Sequence, residues 1–200
     1  MKLNAKQLRK WTRDERQPAV GKQEIYIVLD NVLDTYNIGS IFRLADAVAA
    51  KKVYLCGGTE TPPNPRIKKA SINTTEWVEW EYCETAVEAI EKVRSLWNCH
   101  PEESSTKDLK IKSRDSSQAR NDRKGMVVAI EQSAASVPYD KFEYKLPIAL
   151  VVGHESYGVS KEVLEMVDAI VEIPMFGVNI SLNVMVSLGI ILYRVIEKTV

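Results

Sequence analysis

The chain has 200 residues, 45% hydrophobic and 27% charged, which describes a globular protein with a sizeable core and excludes a mostly disordered one. Lys+Arg and Asp+Glu balance at 27 each, so any nucleic-acid binding has to come from local patches rather than from net charge. Three cysteines without CxxC spacing and only two histidines argue against a metal site, and the odd thiol count with no secretory signal points to a reducing, cytoplasmic setting.

Residues 1–23 read as a basic arm. The first sixteen carry six Lys/Arg, among them Lys6, Arg9 and Lys10, against Asp14 and Glu15. Leu3, Leu8 and Trp11 give it a thin apolar stripe. Two readings fit: an arm that holds a polyanion, or a solvated terminal helix. Residues 24–29 are a short run of β-formers that reads as a buried strand ending at Asp30 and Asn31. From Asn37 the spacing turns helical, with Ile38, Ile41, Phe42, Ala45, Val48 and Ala49 on one face. Asn37 is then the expected N-cap, and Arg43 falls on the more polar side.

A strand at 52–56 follows, then a proline loop at 61–65 and an alternating edge strand at 77–82. Arg66, Lys68 and Lys69 form a short basic patch after the loop. Residues 85–97 have helical periodicity. Residues 98–124 have none, and a mobile polar insertion is expected there. Between 107 and 124 it holds seven basic and three acidic residues, which suits an RNA-facing loop or a plain solvated one.

Strands at 126–130, 146–152 and 169–173 then alternate with helices at 160–167 and from Ser181 onward. This alternation predicts an α/β fold, a mainly parallel sheet with helices on both faces. The apolar part of the last helix, 182–192, is too short to cross a bilayer, so no membrane span is expected. Because it is apolar nearly all round, one side should pack on the sheet and another on a second subunit. Full burial within a monomer fits the same residues.

Three segments place polar groups and glycine just past strand ends, where open α/β sheets bind ligands. They are 31–43, 153–160 and 173–183. Gly153 and Gly158 have the spacing of a phosphate-binding P-loop, but Val159 and Ser160 stand where Lys-Ser/Thr is required, which disfavours an ATPase. Each segment also has a plain structural reading: a helix cap at Asn37, a surface ion pair of Arg43 with Asp46, and a tight turn at Gly153 and Gly158.

Together the segments resemble one family. Residues 37–47, with Asn37 and Arg43, look like motif 1 of the SpoU-type (TrmH-like) RNA 2′-O-ribose methyltransferases of the SPOUT superfamily. Residues 150–160, with Gly153 and Glu155, look like motif 2. Residues 173–184, with Ile173, Met175, Ser181 and Asn183, look like motif 3.

The resemblance implies a C-terminal trefoil knot, giving an α/β knot fold, in one domain over 24–200. It implies S-adenosylmethionine as cofactor, with Gly153, Ile173, Met175 and Leu182 as its contacts and Gln132 as a weaker candidate. It also implies a homodimer through motif 1 and the C-terminal helix. The expected activity is methyl transfer to a ribose 2′-hydroxyl of tRNA or rRNA. Arg43 stands at the catalytic arginine, and Asn37, Glu155, Ser181 and Asn183 are the other catalytic positions. RNA contact falls to Lys6, Arg9 and Lys10 of the arm and to Arg66 and Lys68. A non-catalytic RNA-binding knotted dimer and a knotted enzyme that methylates a base nitrogen are the alternatives.

Overall fold

The computed structural model describes residues 21–98 and 125–199. The expected arm up to residue 20, with Lys6, Arg9 and Lys10, and nearly all of the expected insertion lie outside them. In chain order the elements are β1 (Gln23–Asp30), α1 (Thr35–Ala47), β2 (Ala50–Cys56), α2 (Pro65–Ser71), a 3₁₀ turn (Thr74–Glu76), β3 (Trp80–Cys83) and α3 (Ala86–Asn98). After residue 125 come β4 (Met126–Ile130), β5 (Val137–Pro138), β6 (Ile148–Val152), α4 (Lys161–Leu164), β7 (Ala169–Glu172) and α5 (Val184–Thr199).

The strands form one seven-stranded sheet in the order β3-β2-β1-β6-β4-β7-β5, and every strand pairing is parallel. The two-residue rise of a strand sorts side chains onto two faces. Ile25, Ile27, Leu29, Val53, Leu55, Ile148, Leu150 and Val152 go to one core with α1 and α5. Tyr26, Val28, Tyr54, Val127, Ala149 and Val151 go to the other with α3 and α4. Burial on both faces is why these strands read as continuous apolar runs.

Several boundaries differ from expectation, among them the helix expected over 160–167, which is Lys161–Leu164, and the strand expected from 146, which starts at Ile148 after Pro147. Asp34, not Asn37, caps α1; its carboxylate accepts the Tyr36 N–H at 2.7 Å. Asn37 lies inside the helix, only 6% exposed, because a tertiary bond claims its side chain. The last helix starts at Val184 rather than Ser181, with Asn183 Oδ1 accepting the N–H groups of Met185 and Val186. The edge strand begins at Trp80, and Trp77 ends the 3₁₀ turn instead. Three elements were unforeseen, the 3₁₀ turn at Thr74–Glu76, β5 and α2. β5 is too short to show alternation, and α2 starts on Asn64 and Pro65 as cap and first residue.

One stripe of α5 is buried through Leu188, Ile191, Leu192 and Val195, at about 1.5–3 kcal/mol per fully buried large side chain. The helix also packs beside α1. Val186, Ile190 and Tyr193 remain exposed, as do Leu33 and Tyr36 at the start of α1. The expected second apolar side of this helix therefore exists and faces outward. Among the described residues no helix is long and apolar enough to cross a membrane.

Candidate active site

β1, β2 and β3 run outward from the middle of the sheet in one direction, and β6 returns beside β1. Ligand crevices in open parallel sheets form beyond the carboxyl ends of strands near such a reversal. A cleft of about 580 Å³ lies there, beyond β4, β6 and β7. Ile130, Val152, Val171 and Ile173 supply apolar wall, and Glu131, Glu155 and Glu172 line it with carboxylates; among the described residues no Lys or Arg lines it. Gln132, Gly153, Ile173, Met175 and Leu182 all line this cleft, as do Glu155, Ser181 and Asn183. Gln132 already has a protein partner: its Nε2 donates to Ile180 O at 2.7 Å.

Three carboxylates fix the turn at 153–160. Asp30, buried at the end of β1, accepts the Ser160 N–H at 2.8 Å. Glu131 accepts the Val159 N–H at 2.9 Å and the Gln132 N–H at 2.8 Å. Glu155 reaches the other way and accepts Leu33 N–H at 3.1 Å, Asp34 N–H at 3.0 Å and Asn37 Nδ2 at 3.1 Å. The turn closes on itself through His154 N–H to Gly158 O at 2.9 Å and Gly158 N–H to His154 O at 2.8 Å.

Gly158 has φ +70°, and a Cβ there would collide with the Glu131 carboxylate. The amides of Val159 and Ser160, which would face a phosphate in a P-loop, are thus filled by two anions. This is a physical reason to reject phosphate binding at that turn.

Asn37 joins the two halves of the site. It donates to Glu155, and its Oδ1 accepts Asn183 Nδ2 at 3.0 Å. Partial burial alone would raise the Glu155 pKa; the N–H groups of Asp34 and Leu33 and the Asn37 amide outweigh it and hold the pKa below the usual carboxylate value. Glu155 therefore stays ionised at neutral pH and is a poor proton acceptor. It grips Asn37 and the backbone before α1, not Arg43.

Arg43 is exposed and has no hydrogen bond or ion pair among the described residues. The surface pair with Asp46 does not form, because Asp46 accepts Trp77 Nε1–H at 2.6 Å. Six residues along a helix from Asn37, Arg43 sits roughly 120° away around the axis, and it does not line the cleft.

The sequence pattern of the SpoU rRNA Methylase family matches residues 24–193. The chain belongs to this family. Among its relatives, the tRNA (guanosine(18)-2'-O)-methyltransferase of Aquifex aeolicus is 31% identical over 86% of the chain and 69% of the relative. The 23S rRNA (guanosine-2'-O-)-methyltransferase RlmB of Ralstonia nicotianae is 29% identical over 92% and 63%. An AdoMet-bound rRNA methyltransferase structure from Sinorhizobium meliloti superposes with a TM-score of 0.67 at 26% identity, covering 95% of this chain and 59% of that one. The chain therefore spans about two thirds, or less, of the length of these relatives.

Within this SpoU-family chain the three motifs do not contribute equally to one place. Motifs 2 and 3 build the cleft. Motif 1 braces it from behind, with Asn37 bonded to the lining residues Glu155 and Asn183, and turns Arg43 outward. Ser181 is exposed at the cleft and makes no hydrogen bond among the described residues. Arg66 and Lys68 are exposed on α2, which packs against α1, and Lys68 Nζ lies 3.9 Å from Glu76. Asp30, Glu131 and Asp34 are structural members of the site that the motifs did not single out. The available signal was an acid directly at each strand end or before the helix. Among the described residues no three His, Cys, Asp or Glu side chains come together as a metal group.

Proposed function

We propose that the chain methylates a ribose 2′-hydroxyl of tRNA or rRNA, using S-adenosylmethionine, as a homodimer with a trefoil-knotted C-terminus. The observation that carries the reading is the meeting of the three motif segments at one cleft through the Glu155–Asn37–Asn183 bonds. The relatives that methylate tRNA and rRNA guanosine at the 2′-oxygen support the substrate class, and the AdoMet bound in a structural relative supports the cofactor.

The cleft fits that cofactor on its own terms. It has apolar walls, Gly153, Ile173 and Met175 in its lining, and, among the described residues, three carboxylates and no Lys or Arg. An acidic, partly apolar cleft suits a sulfonium better than an anion. Gly153, Ile173, Met175 and Leu182 would hold it, while Gln132 would hold the 174–182 segment over it. Bound S-adenosylmethionine supplies an electrophilic methyl group.

The protein's own work is then placement and electrostatics. Asn183 lines the cleft where the sugar would approach, and Asn37, behind it, accepts its Nδ2 and holds it in place. Glu155, ionised and fully engaged, is a positioning residue and not a base. Arg43, a guanidinium with donors in a planar fork, stabilises charge developing on the ribose oxygen or clamps a phosphate. Because it faces away from its own cleft, the homodimer is integral to the reading: the exposed apolar residues Leu33, Tyr36, Val186, Ile190 and Tyr193 would seat a second copy and bring Arg43 to that copy's cleft. RNA contact is assigned to Arg66 and Lys68, and to Lys6, Arg9 and Lys10 of the arm. A cytoplasmic setting agrees with Cys56 and Cys83 being free thiols.

The test is transfer of tritiated methyl from S-adenosylmethionine to bulk tRNA and rRNA, followed by alkaline digestion. Label in alkali-resistant dinucleotides is expected. Label on bases would select the base-nitrogen alternative, and RNA binding without any label would select the non-catalytic dimer. Arg43→Ala should lower kcat by about 10²–10³-fold while the cofactor Kd stays within about twofold; equal loss of both would remove Arg43 from its role.

A further inference from the structure

We infer that Tyr157 is a stacking platform for a substrate nucleobase at the mouth of the cleft; the inference rests on the RNA reading above. Tyr157 lines the cleft, yet it is 86% exposed. It stands at the tip of the 153–160 turn, between residues that are tied down on both sides. On one side Glu155 is anchored by Leu33, Asp34 and Asn37. On the other, Val159 and Ser160 are held by Glu131 and Asp30. The turn's own two backbone bonds close the ring between His154 and Gly158.

The phenol ring is backed on one side by the His154 imidazole, with centroids 4.6 Å apart and planes at 42°. His154 is itself fixed, since its Nδ1 accepts the Ser156 N–H at 2.9 Å. A side chain on so firmly held a turn has its backbone ordering cost met before any ligand arrives. What it offers is one open aromatic face, two residues from the carboxylate that grips Asn37.

Two flat ligands belong to the proposed reaction, the cofactor's adenine and the base of the target nucleotide. An adenine is best held where a ring is buried between apolar walls, and those walls lie deeper, at Ile130, Val152 and Val171. A ring left almost wholly in water suits a ligand that arrives from outside. Single-stranded RNA bases are gripped in that way, splayed out and stacked on aromatic side chains. Stacking is tolerant of base identity, so Tyr157 would contribute affinity and orientation rather than base choice.

The experiment measures steady-state methyl transfer to bulk tRNA and rRNA, together with S-adenosylmethionine Kd by calorimetry, for the full chain and its variants. Tyr157→Ala should raise the RNA KM by about ten- to a hundredfold, the range of losing one stacked base, with kcat falling much less and cofactor Kd within about twofold. Tyr157→Phe should recover most of the loss, because stacking needs the ring and not the hydroxyl. An unchanged RNA KM overturns the inference. So does a parallel loss of cofactor affinity, which would make the ring part of the cofactor pocket, or a shift to monomer in size exclusion, which would make it an interface residue. Should the wild-type chain transfer no methyl group, the methylation reading fails by itself. Filter binding of the same RNA then decides Tyr157, with weaker binding by Tyr157→Ala expected and equal binding overturning it.

Discussion

The turn at 153–160 and the segment at 174–182 flank the same cleft, and they are held in opposite ways. Carboxylates from β1, the end of β4 and the turn itself stitch the first to three neighbouring segments. The second has Gln132 on Ile180 O, and it shows Phe176, Val178 and Ile180 to solvent at 96%, 100% and 80% exposure. Charge-assisted hydrogen bonds are short-range and directional, so they can fix a turn with no help from outside. Exposed apolar side chains gain nothing from water and become useful only when something covers them. One flank of the site is complete in a single chain. The other leaves three large apolar side chains uncovered in a single chain.

Substitutions can break this contrast, and the largest effect is expected at Asn37. Asn37→Asp sets a second carboxylate against Glu155 in a buried position and removes the donor Glu155 uses. About 3 kcal/mol of stability should be lost, by the scale of an uncompensated buried charge, with methyl transfer falling further than stability; denaturant melts and kcat measured together check this. Gly158→Ala comes next. Its strained φ and the collision with Glu131 should cost about 1–3 kcal/mol and weaken S-adenosylmethionine binding, read by calorimetry.

Glu155→Gln sharpens the comparison through pH. The folded-state pKa of Glu155 lies below its unfolded value, so its contribution is present above the ordinary carboxylate range of about 4.3 and fades as pH falls through the lower folded value. Wild type should exceed Glu155→Gln by about 1 kcal/mol at pH 7, and the gap should narrow below about pH 4 in denaturant titrations. A constant gap would mean that the carboxylate's charge is not what stitches the turn. Smallest of all is Val178→Ser, on the opposite flank. It should leave chain stability within about 0.5 kcal/mol, read in denaturant melts.

Much of this architecture is legible in the amino-acid sequence. Strands such as β4 and β6 show as unbroken β-forming runs, and α3 shows as a repeat of apolar positions, because those patterns reflect which neighbours a residue meets within a few positions along the chain. The irregular passage after Ile173 was legible for the same reason, since Pro174 and Gly177 rule out regular structure locally, but its reach to Asn183 was not, because the apolar helix reads as opening at Ser181 and starts at Val184. The cap of α1 was not. Asp34 and Asn37 are both good caps by type, and only the fold reveals that Glu155, 118 residues away, takes the Asn37 amide and leaves the cap to Asp34.

Arg43 divides in the same way. Its chemistry and helix position follow from the sequence, whereas its direction depends on how α1 is rolled against the sheet and α5. The order of residues by itself determined the alternating elements, the two-faced burial of the strands and the residue types at each strand end, because each is decided by local sterics and hydrophobic period. Which of those polar ends meet was decided by the tertiary structure alone. Hydrogen bonds such as Asn37 to Asn183 span 146 residues, and parallel pairing of distant strands is what brings their ends to one edge.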